Sequence, residues 1–297
     1  MAAFLCETST LLRPAFSKMS NVPTILVFDS GLGGLTVFTE VARLRPDARF
    51  FYAADDAGFP YGRLGEQQLI ARVLVVMARL IERIAPDVVV IACNTASTLV
   101  LPHLRAAYPK LPFVGTVPAI KPAAMQSRSQ LISVLATPGT VARDYTHDLV
   151  RTYAAHCEVS LIGSRELASL AEAFMKGEAV SDAQIQAEIA PCFVESQGKR
   201  TDCIVLACTH YPLLLREFER LTLWPVDWID PSPAIARRVD HVLREDLGFG
   251  AAEEGAPSGA HCALFTGEAL PQAALEKALR ARHFETMILE TMPLCPA

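Results

Sequence analysis

Several features that mark other classes of protein are missing from this 297-residue chain. None of its eight cysteines stands in a C-x-x-C pair, which removes the usual signature of a structural zinc site or a dithiol redox centre. No apolar run reaches the roughly 18 residues a membrane helix requires, because charges interrupt every long candidate. Basic residues form no block: 27 Lys and Arg face 32 Asp and Glu, for a formal net charge of -5. That balance argues against nucleic acid as a main ligand. The first 20 residues, MAAFLCETSTLLRPAFSKMS, lack the basic start, apolar core and small-residue cleavage site of a secretory signal. Residues 1–21 therefore read as an extension, with Met19 as a candidate alternative start and the fold beginning at about Val22.

Without a signal or paired spacing, the cysteines read as free thiols in a reducing, cytoplasmic compartment. Cys6, Cys157, Cys192, Cys203, Cys262 and Cys295 are taken as ordinary buried or surface thiols.

What is present is a globular composition, with 51% hydrophobic residues and ordinary glycine and proline. The length suffices for two domains and a large core. Short apolar runs at 24–28, 48–53, 87–92, 113–115, 131–136, 159–162, 203–207, 226–229 and 262–265 read as strands. Segments 66–84, 140–155, 165–176, 182–196 and 233–247 carry a helical period. Such alternation predicts an α/β fold of mostly parallel sheets with helices on both faces. DVVVIA (87–92) and CIVLA (203–207) lack polar alternation, so they should be central strands covered on both sides.

Those two runs share more than character. Asp87 matches Asp202, Ala92 matches Ala207 and Cys93 matches Cys208, always 115 positions apart. The repeat predicts two similar domains with a cleft between them: residues 22–117 plus 227–297, and residues 118–226. Ligands of such sheets bind at the carboxyl ends of the strands, and both cysteines stand there, each ahead of a helix. FDSGLGG (28–34) closes the first strand, and ATPGT (136–140) is its weaker counterpart. The glycine loop falls short of a dinucleotide fingerprint, whose third glycine would sit at Thr36. A tight turn that offers backbone N–H groups to a small carboxylate fits it better.

Two thiols facing each other across a cleft suit one chemistry in particular. A desolvated thiolate near a helix N-terminus, which lowers its pKa, can remove a proton from carbon. A second thiol on the opposite face of the planar carbanion can return one, which is racemisation without a cofactor. Three other readings compete. The C-x-H spacing of Cys208 and His210 matches no standard zinc pattern. A cysteine hydrolase would leave one cysteine idle. Core packing explains a single Ala-Cys strand end better than a strict duplicate.

FDSGLGG, FPYG (59–62), ACNTAST (92–98), ACTHYPLL (207–214) and AIARR (234–238) closely resemble the glutamate racemases, from about Thr24 to the C-terminal strand and helix. VPAIKPAA, IGSRELASLAEA and GEAVS look like the Gram-negative branch of that family. The resemblance implies a cofactor-independent enzyme that supplies D-glutamate for peptidoglycan, with Cys93 acting on the D-enantiomer and Cys208 on the L-enantiomer. Asp29 and His210 would assist the thiols and touch the substrate. Ser30, Tyr61, Gly62, Asn94, Thr95, Thr137, Thr140 and Thr209 would bind its amino and carboxylate groups. Pyridoxal phosphate and metal are not needed. The implied partners are glutamate, a UDP-linked muramoyl-alanine activator and a second copy in a homodimer, with neither membrane nor nucleic acid.

Some positions have plainer readings. Asp29 could merely stabilise its own turn, and His210 could cap the following helix. Glu172 matches an acidic residue near the site in relatives, yet a solvated helical glutamate is the more ordinary reading, and it is left out of the catalytic set. Asp230-Pro231-Ser232-Pro233 departs from the family pattern, and its extra proline should stiffen the loop there. An aspartate or broad amino-acid racemase, and a non-catalytic amino-acid sensor on the same cleft, remain the alternatives.

Overall fold

A computed structural model describes residues 22–252 and 261–292. The extension at 1–21, the start at Met19, and Cys6 and Cys295 lie outside the described residues. The first unit opens with β1 (Thr24–Asp29), α1 (Leu35–Leu44), β2 (Arg49–Ala54) and α2 (Glu66–Ile84). It continues with β3 (Val88–Ile91), α3 (Asn94–Ala107) and β4 (Phe113–Gly115). The second unit runs through α4 (Ile120–Gln126), β5 (Leu131–Ala136), α5 (Pro138–Val141), α6 (Asp144–Tyr153), β6 (Glu158–Gly163), α7 (Leu167–Met175) and α8 (Asp182–Ile189). A small hairpin, β7 (Glu195–Ser196) and β8 (Lys199–Arg200), leads to β9 (Cys203–Ala207), α9 (Leu215–Leu221) and β10 (Asp227–Ile229). The chain then returns through α10 (Ser232–His241), β11 (His261–Phe265), α11 (Ala273–Arg280) and β12 (Phe284–Leu289).

Both main sheets are parallel throughout. The first has the order β12-β11-β2-β1-β3-β4 and the second β10-β9-β5-β6. Read from the other edge, the second is β6-β5-β9-β10, which reproduces β2-β1-β3-β4 strand for strand. The doubled sequence therefore encodes a doubled topology, and β11 and β12 are additions to one copy.

Alternate residues of the central strands feed opposite cores. Ile25, Val27, Val88 and Val90 pack beneath α1, α10 and α11, whereas Leu26, Phe28, Val89 and Ile91 pack under α2 and α3. In β9, Ile204 and Leu206 face α7, α8 and α9, while Cys203 and Val205 face α4. The unbroken apolar runs mark strands buried on both faces, as the sequence predicts. The matched aspartates share a structural task. Asp87 Oδ2 accepts the Thr24 N–H at 2.9 Å, and Asp202 accepts the Arg128 and Ser129 N–H groups at 2.7 and 2.8 Å. Each carboxylate ties the chain that enters the neighbouring central strand.

Three expectations are revised. β10 pairs with β9, so residues 227–229 belong to the second sheet, and the return crossing comes after Ile229 rather than at 227. The helix expected over 140–155 starts at Pro138, capped by Thr137, and is interrupted before Asp144. At the break, the Thr146 hydroxyl bonds the Thr140 carbonyl at 2.7 Å. The helix expected over 182–196 ends at Ile189, where Pro191 forces a 3-10 turn. At Asp230-Pro231-Ser232-Pro233, Asp230 Oδ1 accepts the Ser232 N–H at 2.8 Å, and this turn starts α10.

Candidate active site

Four strand-end loops converge between the sheets, those after β1 and β3 from one unit and their counterparts after β5 and β9 from the other. They enclose a cavity of about 30 Å³ lined by Ser30, Tyr61, Gly62, Cys93, Asn94, Thr95, Thr137, Thr140, Cys208, Thr209 and His210, together with Phe59, Pro60, Ala168 and Ala207. Eleven of the twelve residues expected from sequence thus share one wall. Asp29 is the exception, fully buried behind it.

Cys93 is the N-cap of α3, a 14-residue helix. Its sulfur is buried and lies 3.9 Å from Ser30 Oγ. Burial, and next the negative field of Asp29, push the Cys93 thiol well above its ordinary pKa. The Ala96 N–H at the start of the helix pulls the other way without prevailing. A helix N-terminus alone favours a lowered pKa, but here burial and Asp29 outweigh it and favour the thiol form.

Cys208 has different company. It precedes a 3-10 turn, Tyr211–Leu214, and its sulfur lies 3.9 Å from His210 Nδ1. His210 Nε2 meets Glu172 Oε1 at 2.9 Å, and the same Glu172 oxygen accepts the Leu32 N–H at 2.6 Å. Burial disfavours charge on His210, but its bonds to Cys208 and Glu172 and the field of Asp29 outweigh this, raising its pKa well above the usual histidine value. Burial likewise opposes charge on Glu172, yet the His210 bond and charge hold its pKa below the usual carboxylate value. The pair is therefore imidazolium and carboxylate, placed beside the Cys208 sulfur.

Glu172 corrects the sequence reading. It is only 5% exposed, and α7 turns it inward between the buried Ala171 and Met175. A carboxylate on the buried face of a helix is unusual, but it is the docking of α7 that shows this one to be buried.

The glycine loop also has a different occupant. Gly34 N–H donates to Asp29 Oδ2 at 2.8 Å and Leu32 N–H donates to Glu172, so these donors hold the protein's own carboxylates rather than a substrate's. A Cβ on Gly31 would come within 2.3 Å of Glu172 Oε1, and one on Gly33 within 2.4 Å of His210 Nδ1. The glycines allow the Cys208 side to approach closely. Burial raises the Asp29 pKa, opposed by His210 and the Gly34 N–H, and its Oδ1 has no hydrogen-bond partner among the described residues.

The rest of the wall is polar and braced. Tyr61 OH donates to Asp55 Oδ2 at 2.5 Å. Asp55 is gripped by Arg72 through two bonds of 2.7 Å and by Thr266 Oγ1 at 2.6 Å. Phe59 lies against the His210 ring, with centroids 5.4 Å apart. Thr137 and Thr140 hydroxyls are 3.0 Å apart. Asn94 is 3% exposed, and neither amide atom bonds a described residue, a costly state unless a ligand supplies the partners. Among the described residues no group of three or more His, Cys, Asp or Glu side chains could hold a metal ion. No described helix is long and apolar enough to cross a membrane.

The family model described as Asp/Glu/Hydantoin racemase matches residues 37–239. The glutamate racemases of Rhizobium meliloti and Brucella canis are 57% and 56% identical over 230 residues, 77% of this chain and 83% of theirs. The Escherichia coli glutamate racemase, solved with L-glutamate and the activator UDP-MurNAc-Ala, superposes with a TM-score of 0.81 at 37% identity, covering 91% of this chain and 98% of that one.

Proposed function

The chain belongs to the Asp/Glu/hydantoin racemase family, and on that premise we propose that it interconverts L- and D-glutamate by passing the α-proton between Cys93 and Cys208. The observation that carries this reading is the pair of buried thiols at topologically equivalent strand ends, lining one cavity. Its curated relatives are glutamate racemases, and the D-glutamate it makes is destined for peptidoglycan.

In the L-to-D direction, the Cys208 thiolate takes the α-proton and becomes a thiol, while the C–H electron pair is left on a planar carbanion. The Cys93 thiol then delivers its proton to the opposite face and is left as the thiolate. The reverse direction runs the same steps backward. His210, held by Glu172, steadies the thiolate form of Cys208. Burial, and next Asp29, disfavour negative charge at Cys93, which favours its thiol form as the proton donor. Asn94, with Ser30, Thr95, Thr137, Thr140 and Thr209, offers amide and hydroxyl groups for the ammonium and two carboxylates. Tyr61 and Gly62 complete the wall. Domain closure over the ligand would keep bulk water from the carbanion.

The E. coli relative binds UDP-MurNAc-Ala as an activator, and we extend that regulation, a cytoplasmic location and a homodimeric assembly to this chain as parts of the same proposal. The test is direct: purified, cofactor-free protein with L-glutamate in D2O should yield D-glutamate deuterated at Cα. Turnover of aspartate but not glutamate would replace the substrate assignment, and glutamate binding without turnover would favour a sensor.

A further inference from the structure

The reaction cavity is flanked by two larger spaces of opposite character. On one side, a cavity of about 360 Å³ is lined by Asp56, Glu172, Glu178 and Glu268 against a single Lys176. It shares no residue with the reaction cavity, from which the Glu172–His210 pair and the glycine loop divide it. On the other side, a cavity of about 390 Å³ shares Pro60, Gly62, Thr137 and Ala168 with the reaction cavity. This second space is the vestibule of the site.

Two arginines line the vestibule from opposite units: Arg63, after β2 in the first, and Arg165, between β6 and α7 in the second. Both are exposed, and neither side chain makes a hydrogen bond or ion pair with a described residue. Nearby Arg143, by contrast, is already engaged, 3.2 Å from Glu66 across the two units. Glu166 shares the vestibule wall, which leaves a net positive lining. Glutamate at neutral pH carries two carboxylates and one ammonium, and it must approach a chain of net charge -5. A free guanidinium fork offers a carboxylate two parallel hydrogen bonds, and a positive lining within a cleft raises the local concentration of an anion.

We propose that Arg63 and Arg165 form an anion-receiving vestibule that draws the carboxylates of glutamate toward the thiols and raises affinity for this substrate over less acidic amino acids. The inference rests on the glutamate reading above. It adds two recognition residues that contact neither thiol, and it excludes the acidic cavity as a route for the substrate.

The test is steady-state racemisation by Arg63→Gln, Arg165→Gln and the double variant, at low and raised ionic strength. At low ionic strength KM for either enantiomer should rise about threefold in each single variant and about tenfold in the double, with kcat within about twofold of the parent. Salt should raise KM in the parent and leave the double variant nearly unmoved, and Arg63→Lys with Arg165→Lys should restore most of the affinity. An unchanged KM in the double variant would overturn the vestibule, as would a rise that salt does not diminish. Normal turnover by the parent in the same series keeps these failures distinct from failure of the glutamate reading, which would appear as no D-glutamate from the parent at all.

Discussion

Cys93 and Cys208 end equivalent strands of equivalent four-strand units, yet the two thiols are supported by unlike means. Cys93 caps a long α-helix and has a buried carboxyl and a serine hydroxyl for neighbours. Cys208 precedes a short 3-10 turn and leans on His210, which leans on Glu172 from a different helix. The strand positions are equivalent, and the loops and helices that follow them give each thiol a different chemistry. One consequence is that burial and Asp29 favour the thiol form of Cys93, whereas the Glu172 bond favours charge on the His210 ring beside Cys208.

The largest effect that would break the comparison is loss of either thiol. Cys93→Ala and Cys208→Ala should each lower racemisation by about a thousandfold or more, the scale of a positioned acid–base group, with circular dichroism unchanged. Full turnover in either variant would remove the symmetry of the two halves.

Next comes the support that only one half possesses. Glu172→Gln should lower racemisation by about 10- to 100-fold. It should also move the alkaline limb of kcat/KM to lower pH, because His210 loses the partner that helps keep it charged. An unshifted limb would mean that the pair does not serve Cys208.

The glycines sharpen the contrast further. A Cβ on Gly33 would meet the His210 backbone nitrogen at 2.6 Å, whereas one on Gly139, in the counterpart loop, meets nothing within 4 Å. Gly33→Ala should destabilise by about 1–3 kcal/mol. Gly139→Ala, within a helical turn, should be neutral or more stable by up to about 1 kcal/mol. Denaturant unfolding of the two variants reads both.

The smallest effect is a pH dependence of stability. Glu172, with its pKa lowered from 4.5, adds stability that is present above that value and fades as pH falls through its folded pKa. His210, with its pKa raised from 6.5, adds stability that is complete below that value and fades as pH rises through its folded pKa. The stability lost in Glu172→Gln should therefore be greatest between about pH 4.5 and 6.5, and a difference that is flat across pH would contradict the ion pair.

Much of this was legible in the chain itself. Doubly apolar strands such as CIVLA announce buried parallel sheets, and the 115-residue offset fixed the thiols at matching strand ends. Asn94, Thr95 and Thr209 are adjacent in sequence to those ends, whereas Tyr61, Gly62, Thr137 and Thr140 were legible only through the resemblance to the glutamate racemases. The less legible parts depend on distant packing. Glu172 is 38 residues from His210, and only the way α7 docks turns it inward. The glycine loop displayed its N–H groups in sequence but not their acceptors, since Glu172 is 140 residues from Leu32. The Cys93 pKa depended on a contest between a helix terminus, visible in sequence, and burial beside Asp29, which is not.

The central claim, one thiol for each face, is tested most directly by α-proton exchange in D2O with the single-thiol variants, followed by NMR. Cys93→Ala should exchange the α-proton of L-glutamate alone, and Cys208→Ala that of D-glutamate alone, each without inverting its substrate. Exchange of both enantiomers by either variant, or inversion by one remaining thiol, would contradict the account.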